Sequence, residues 1–363
     1  MFVALRDLRF ARGRFVLIGA VVALITVLVG FLSGLTGGLA IQNISAVLSL
    51  PGDRIVFAAP VGDESVTFAD SAVTAKQAEA WRDTKGVTDV TPIGISQGRA
   101  ERVGDDGGDT DTARAAVAFF GMEPGSGSHA PTERGTVTLS DPAADALGAG
   151  VGDALTIAGS SYRVAQVDGD EWYSHTPVVQ MALEDWREVA ATTGNPDAYA
   201  TVLAVSGDPE WAAADAAHDT VSETPLGSLT ALSAFRSEIG SLLLMVAMLF
   251  GISGLVIGAF FTVWTMQRQG DVAILKALGA SNRSLVRDSL GQALMVLMGG
   301  IGIGLVLVTM LGTLAGTALP FLLSPLTTLL PGAIMTILGL AGAAFALRSV
   351  TAADPLTALG SNR

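Results

Sequence analysis

The sequence predicts a membrane protein with four transmembrane α-helices and one α+β extracytoplasmic domain between helices 1 and 2. Three observations lead there. Half of the 363 residues are hydrophobic and the mean hydropathy is +0.51, both high for a soluble chain. The apolar residues are concentrated: the runs 15–50, 239–266, 291–319 and 326–347 contain no charged residue, and each exceeds the roughly 20 residues that cross a bilayer core. Charge is divided in the opposite way. Residues 51–238 hold 11 basic and 30 acidic side chains, a net of −19, while the rest of the chain holds 10 basic and 4 acidic, a net of +6. By the positive-inside rule both termini and the 267–290 loop are cytoplasmic, and the acidic segment is outside. An acidic exterior excludes nucleic acid as a partner. The chain has no cysteine, so the external domain has no disulfide and no thiolate metal site exists.

Taken in order, residues 1–14 place Phe2, Leu5, Leu8 and Phe10 opposite Arg6, Arg9, Arg12 and Arg14. This fits a cytoplasmic amphipathic helix lying on anionic lipid headgroups, or a plain basic anchor for the first span. The apolar run that follows is too long for a cleaved signal peptide and ends on no small-x-small site. Gly30, Gly34 and Gly38 recur at spacing four in span one. That pattern permits close helix approach, either as ordinary packing or as a face toward a second copy or a substrate gate. Residues 41–50 continue the helix outside until Pro51-Gly52 stops it.

In the external domain, 51–238, residues 54–58 and 65–68 read as strands, and 74–84 as a helix capped by Thr74. The stretch 98–114 is rich in Asp and Gly and reads as a flexible acidic loop. The spacing of Asp105, Asp106, Asp109 and Asp111 does not match an EF-hand. From 136 to 167 runs TVTLSDPAADALGAGVGDALTIAGSSYRVAQV. It reads as a strand, a helix capped by Ser140 and closed by Gly148, and a hairpin with Gly159-Ser160 at its tip. Residues 177–182 read as a strand, 183–191 as a helix and 199–205 as a further strand. His129, His175 and His218 are far apart in sequence, and each alone reads as a surface histidine.

Span two begins near Ile239. Between it and span three lies the segment 267–290, QRQGDVAILKALGASNRSLVRDSL. Val272, Leu275 and Leu278, with Ile274 beside them, make one side of a short helix apolar. Gly279 is placed to end that helix and Ser281 to cap the next. Span three contains GGIGIG at 299–304. With no preceding strand, it reads as a helix-packing pattern and not as a nucleotide loop. A short Pro-rich turn leads to span four, and the tail 348–363 is RSVTAADPLTALGSNR.

No G-x-x-x-x-G-K-[ST], H-E-x-x-H or G-x-S-x-G occurs, so the chain has no ATPase site of its own and no recognisable hydrolytic centre. No carboxylate or lysine lies within the spans, so the residues of an ion-coupled transporter are missing.

The segment DVAILKALGASNRSLVRDSL resembles the ATPase-facing segment of ABC permeases of the MacB/FtsX type, with Asp271 in place of the usual Glu. The 136–167 stretch is similar to the extracytoplasmic core domain of that family, and Asp354-Pro355 and Leu359 match its C-terminal ending. The resemblance covers nearly the whole chain, though the extra external subdomain of larger members does not fit in its length. It implies a homodimer of permeases in a bacterial plasma membrane, with both termini cytoplasmic. The resemblance also implies two cytoplasmic ABC ATPase subunits that bind ATP and drive a mechanical cycle on substrates taken from the outer leaflet. Asp271, Ile274, Leu275, Lys276, Leu278 and Gly279 are the implied coupling residues. The chain looks most like the haem-exporter (HrtB-like) permeases of Gram-positive bacteria. The resemblance therefore implies haem as substrate, with no intrinsic cofactor and no bound metal.

Haem iron takes Met, His, Tyr or carboxylate ligands. The candidates are Glu238, Met245 and Met248 near the outer half of span two, with Arg236 for a propionate, and Tyr173 and His175 in the EWYSHTP loop. Met245 and Met248 at spacing three equally fit simple packing. The rival readings are an FtsX-like signalling permease acting on an external protein, an exporter of peptide, antibiotic or lipid, and a pure scaffold.

Overall fold

The computed structural model describes residues 12–62, 64–102, 113–126, 129–131, 133–267, 270, 274, 276, 278–279, 281–316 and 318–351. The N-terminal amphipathic segment before Arg12, the Asp105–Asp111 cluster, Asp271, Val272, Leu275 and the tail beyond Thr351 lie outside them. The chain divides into two units: Ala40–Gly240, and Met1–Leu39 together with Ser241–Arg363.

The second of these is helical. Helix α1 runs Arg12–Leu48, α7 Ser233–Gln267, α8 Asn282–Ala315 and α9 Pro325–Thr351. All four are long and apolar enough to cross a membrane. Helix α7 starts at Ser233, ahead of the first apolar residue of its run, and Asn282 already belongs to the span-three helix. A core of Ile18, Val22, Val29, Ile257, Phe261, Leu297, Ile301 and Met335 joins the four helices. Lipid offers no hydrophobic force between helices, so close approach depends on small residues. Gly30 faces Val308, Gly34 faces the Phe321 ring, and Gly38 lies against the Pro320 carbonyl. The glycine stripe of span one thus packs on this chain's own span three and on the turn before span four. Gly300 and Gly304 of the GGIGIG stretch lie in turn against Val22 and Thr26 of α1.

The unit Ala40–Gly240 is an α+β domain built on one long strand. In chain order its elements are β1 (Arg54–Ala58), α2 (Ala75–Arg82), β2 (Val87–Arg102), β3 (Ala113–Met122), β4 (Thr136–Leu139), α3 (Asp141–Leu147), β5 (Ala154–Ile157), β6 (Ser160–Val167), β7 (Trp172–Tyr173), β8 (Thr176–Ala182), α4 (Leu183–Thr192), β9 (Val202–Gly207), α5 (Trp211–His218), β10 (Thr220–Glu223) and α6 (Pro225–Ser228). The first half of β2 pairs with β9, and the sheet continues through β1 to β10. The second half pairs with β3. From there the order runs β8, β4, β6, β5, and β5 returns to β2 through Ala100–Ile157, so this half closes on itself. Closure removes the exposed edges of a small sheet. Phe119, Val137, Leu139, Leu155, Val164, Val179 and Met181 form the core of the closed half. On one face of the open half Val56, Leu203 and Val205 pack with Trp81 of α2 and Ala214 of α5. Ile55, Phe57, Phe68, Ile93, Phe120 and Tyr173 form its other core. The two lobes share β2, so neither is a separable subdomain.

Several local expectations meet their geometry. Thr74 caps α2 with a capping box completed by Gln77, and Gly148 ends α3 in the left-handed conformation. Others are corrected. Residues 65–68 form no strand. The stretch 98–114 is not a loop throughout: Gly98–Arg102 and Ala113–Arg114 are paired strand, with Arg102 opposite Ala113. The strands had been masked by their small and charged outward residues. Ser140 occupies the N-cap of α3 but makes no capping bond, because its Oγ accepts from the Val178 amide of a neighbouring strand. The β5–β6 hairpin turns on Ala158-Gly159, both at positive φ, with Ile157 opposite Ser160.

Candidate functional site

The EWYSHTP stretch is not a free loop. Trp172–Tyr173 pairs with Thr176–Pro177, and Ser174 and His175 form the two-residue turn between them, at φ 47° and 63°. Positive φ at both positions is the geometry of a type I′ hairpin turn. Ser174 is not a habitual occupant of that conformation, and tertiary contacts hold the turn. The Ser174 amide donates to the Asn43 carbonyl at 3.1 Å and the His175 amide to the Gln42 carbonyl at 3.0 Å. The Trp172 amide donates to Ser45 Oγ at 2.8 Å. These bonds fasten the hairpin tip to the outer end of α1.

Three side chains meet at that tip. His175 Nε2 lies 2.8 Å from Glu238 Oε2, and Asn43 Nδ2 lies 3.0 Å from His175 Nε2 and donates to Glu238 Oε2 at 3.2 Å. Carrying its proton on Nε2, the imidazole donates to the carboxylate, which accepts from Asn43 as well. Asn43 is fully buried and its Oδ1 has no hydrogen-bond partner among the described residues. His175 and Glu238 are one third and nearly one half exposed, at 33% and 44% of their side-chain surface. The cluster therefore joins a residue at the end of α1, one in the hairpin and one near the start of α7, with an imidazole and a carboxylate open to solvent.

The remaining sequence candidates are distributed differently. Tyr173 turns inward: 7% exposed, its ring packs edge-on against Phe68 and Phe120. Burial pushes its phenol well above the usual range, which disfavours the phenolate that iron binds. Arg236 is two residues from Glu238 on α7, a spacing that puts them on different sides of a helix, and its Nη1 donates to Ser65 Oγ at 3.2 Å. Met245 and Met248 are 53% and 60% exposed on α7. Among the described residues no group of three or more His, Cys, Asp or Glu side chains is arranged to hold a metal ion. His218 is occupied structurally, against Thr84 Oγ1 at 2.9 Å and edge-on to Trp81. His129 sits between Asp168 and Glu171, at 3.2 and 3.4 Å. Asn43 had no sequence signal. It lies in an apolar run, and only the fold brings it to His175 and Glu238.

Of the 267–290 segment, Gly270, Ile274, Lys276, Leu278 and Gly279 are described before Ser281. Gly279 adopts φ +94°, and its amide donates to the Lys276 carbonyl at 3.0 Å. Ser281 caps α8 by accepting from the Ser284 amide. Ile274 and Leu278, one helical turn apart, are 58% and 80% exposed.

Residues 237–355 match the model of the FtsX-like permease C-terminal family. Over its full length the chain is similar to two proteins named as putative hemin transport system permease protein HrtB. It is 22% identical over 366 residues to that of Staphylococcus epidermidis, with 100% of both chains covered. It is 24% identical over 370 residues to that of Staphylococcus haemolyticus, with 99% of both covered. An uncharacterised ABC transporter permease of Mycobacterium tuberculosis is 22% identical over 377 residues, again with 99% of both covered. Among solved structures, the periplasmic region of MacB from Actinobacillus actinomycetemcomitans aligns with 47% of this chain and 88% of its own, at 11% identity and a TM-score of 0.33. Residues 237–355 carry an FtsX-like permease C-terminal domain, and over its full length the chain is similar to ABC transporter permeases, with four helices long and apolar enough to cross a membrane and an α+β domain between the first two.

Proposed function

We propose that the chain is the permease subunit of a haem efflux system, working as a homodimer with a separate cytoplasmic ATPase on each permease. The observation that carries the reading is the His175–Glu238–Asn43 cluster, which lies just before the apolar run of span two in a chain aligned end to end with permeases named for hemin transport. Haem is flat and apolar with two carboxylates, so it partitions into the outer leaflet and reaches the spans sideways. Glu238 and Met245 are seven residues apart on one helix, so they share a face. An imidazole, a carboxylate and a thioether are all within the ligand repertoire of haem iron. The exposed Ile274 and Leu278, with Lys276 between them, are the surface that receives the ATPase on the cytoplasmic side, where both termini also lie. ATP-driven closure of the ATPases tilts spans one and two, and the external domains move with them.

The test is an absorption titration of the purified permease–ATPase complex with haemin, with ATPase rate read in the same samples. A saturable Soret shift at one haem per permease or per dimer, with a changed rate, is expected. Glu238→Ala and Met245→Ala each alter the bound spectrum, and unchanged spectra in both remove this ligand assignment. A featureless partition spectrum with no change in rate favours the signalling permease, whose mark is stable binding of an external protein.

A further inference from the structure

The extracellular domain contains a cavity of about 340 Å³ where its two lobes meet above β2. Its walls include Phe68, Gln97, Tyr173, Trp186, Asn195 and Thr201. This volume is at the lower end of ordinary ligand pockets, which run from about 300 to 1,000 Å³.

One wall is built on purpose-shaped backbone. A Cβ at Gly94 or Gly121 would collide with the Trp186 side chain, so two glycines on adjacent strands make the bed on which the indole lies. The ring is then fixed by Nε1, which donates to Ser96 Oγ at 3.0 Å. Opposite, Tyr173 is 93% buried and held edge-on by Phe68 and Phe120. Its hydroxyl has no hydrogen-bond partner among the described residues, yet it is not one of the sealed polar atoms of the core. A buried tyrosine hydroxyl ordinarily finds a partner. Tyr173 is one of the cavity's wall residues. The other polar groups on the wall are neutral, and no charged side chain lines it among the described residues.

We propose that this cavity is a binding site for a small uncharged aromatic molecule carrying a hydrogen-bond acceptor. The ring lies beside Trp186 and Phe68, and its acceptor takes the Tyr173 hydroxyl proton. Gln97 and Asn195 supply further polar contacts at the rim. The absence of lining charge excludes anions and cations. Burial raises the Tyr173 phenol, which keeps it a donor at neutral pH. Tyr173 immediately precedes the Ser174–His175 turn bonded to Gln42 and Asn43, so a ligand here touches the hairpin that fastens α1. The site shares no side chain with the proposed haem ligands His175, Glu238 and Met245; Tyr173, a haem candidate in sequence, is here a wall of the cavity.

The full-length protein in nanodiscs is titrated with benzamide, 4-hydroxyacetophenone and indole-3-carboxamide, with benzoate as the charged comparison, by saturation-transfer NMR. At least one neutral probe binds saturably and benzoate does not. Tyr173→Phe keeps the ring and weakens binding about fivefold or more, as expected for loss of one hydrogen bond. Ala198→Leu fills the cavity and abolishes it. Thermal melting shows whether each variant is folded, and Tyr173→Phe alone decides the matter if Ala198→Leu is not. The proposal is overturned if no neutral probe saturates, or if a folded Tyr173→Phe protein binds as tightly as the parent. Failure here leaves the haemin titration untouched, and the reverse also holds.

Discussion

At the residue scale, Asn43 is the side chain with most to lose. It is fully buried and donates to Glu238 Oε2 beside the His175 imidazole. A hydrogen bond to a charged group contributes about 1.5–3 kcal/mol. Asn43→Ala is therefore expected to lower the stability of the extracellular domain by that order, read as a lower melting temperature. Asn43→Asp sets a second carboxylate against Glu238 and is expected to cost more than Asn43→Ala. The tyrosines allow a separate test. Burial raises the phenols of both Tyr173 and Tyr162, with Asp185 and Glu188 adding to the second. A folded-state pKa above the unfolded value of about 10 means their contribution is complete below that pH. It is lost as pH rises through the folded values. An alkaline titration followed at 295 nm should show these two phenols ionising together with loss of tertiary structure, and Tyr173→Phe should move that midpoint upward.

At the scale of elements, the close contacts are the sensitive points. Gly38 lies against the backbone of Pro320, which cannot move aside as a side chain can. Gly38→Val is expected to separate α1 from the turn before α9 and to destabilise the helical unit by at least about 1–3 kcal/mol. The same substitution at Gly19, where nothing lies within 4 Å, is expected to be tolerated. Thermal unfolding of the two proteins in one detergent makes the comparison. The element boundaries legible in sequence were those marked by local chemistry. Thr74 with Gln77, Gly148, Gly279 and Ser281 each satisfy their own backbone within a few residues. Ser140 shows the limit, since a strand amide remote in sequence takes its hydroxyl. The 98–114 stretch shows it again: its Asp and Gly content hid two paired strand ends.

At the scale of the whole molecule, the coupling reading makes its own prediction. Ile274 and Leu278 are exposed apolar residues on either side of Lys276. Lys276→Glu, or Leu275→Pro, is expected to leave the membrane fold intact while abolishing the effect of substrate on ATPase rate. Transport at the parental rate in both variants would reject docking at this segment. Binding of the ATPase measured on the same samples separates lost contact from lost transmission.

Number of spans, the place of the inserted domain and the likeness of the C-terminal helices to FtsX-like permeases were all readable from the chain alone. The first two rest on apolar length against a bilayer of fixed thickness, which adds up along the sequence, and the third on stretches of chain that resemble a family by local pattern. The closing of the β2–β3–β8–β4–β6–β5 ring, the burial of Tyr173, the meeting of Asn43 with His175 and Glu238, and the cavity beside Trp186 were not. These depend on pairings between residues distant in sequence. A single strand or turn carries no record of the partner it will meet, so such contacts exist only once the whole domain has packed.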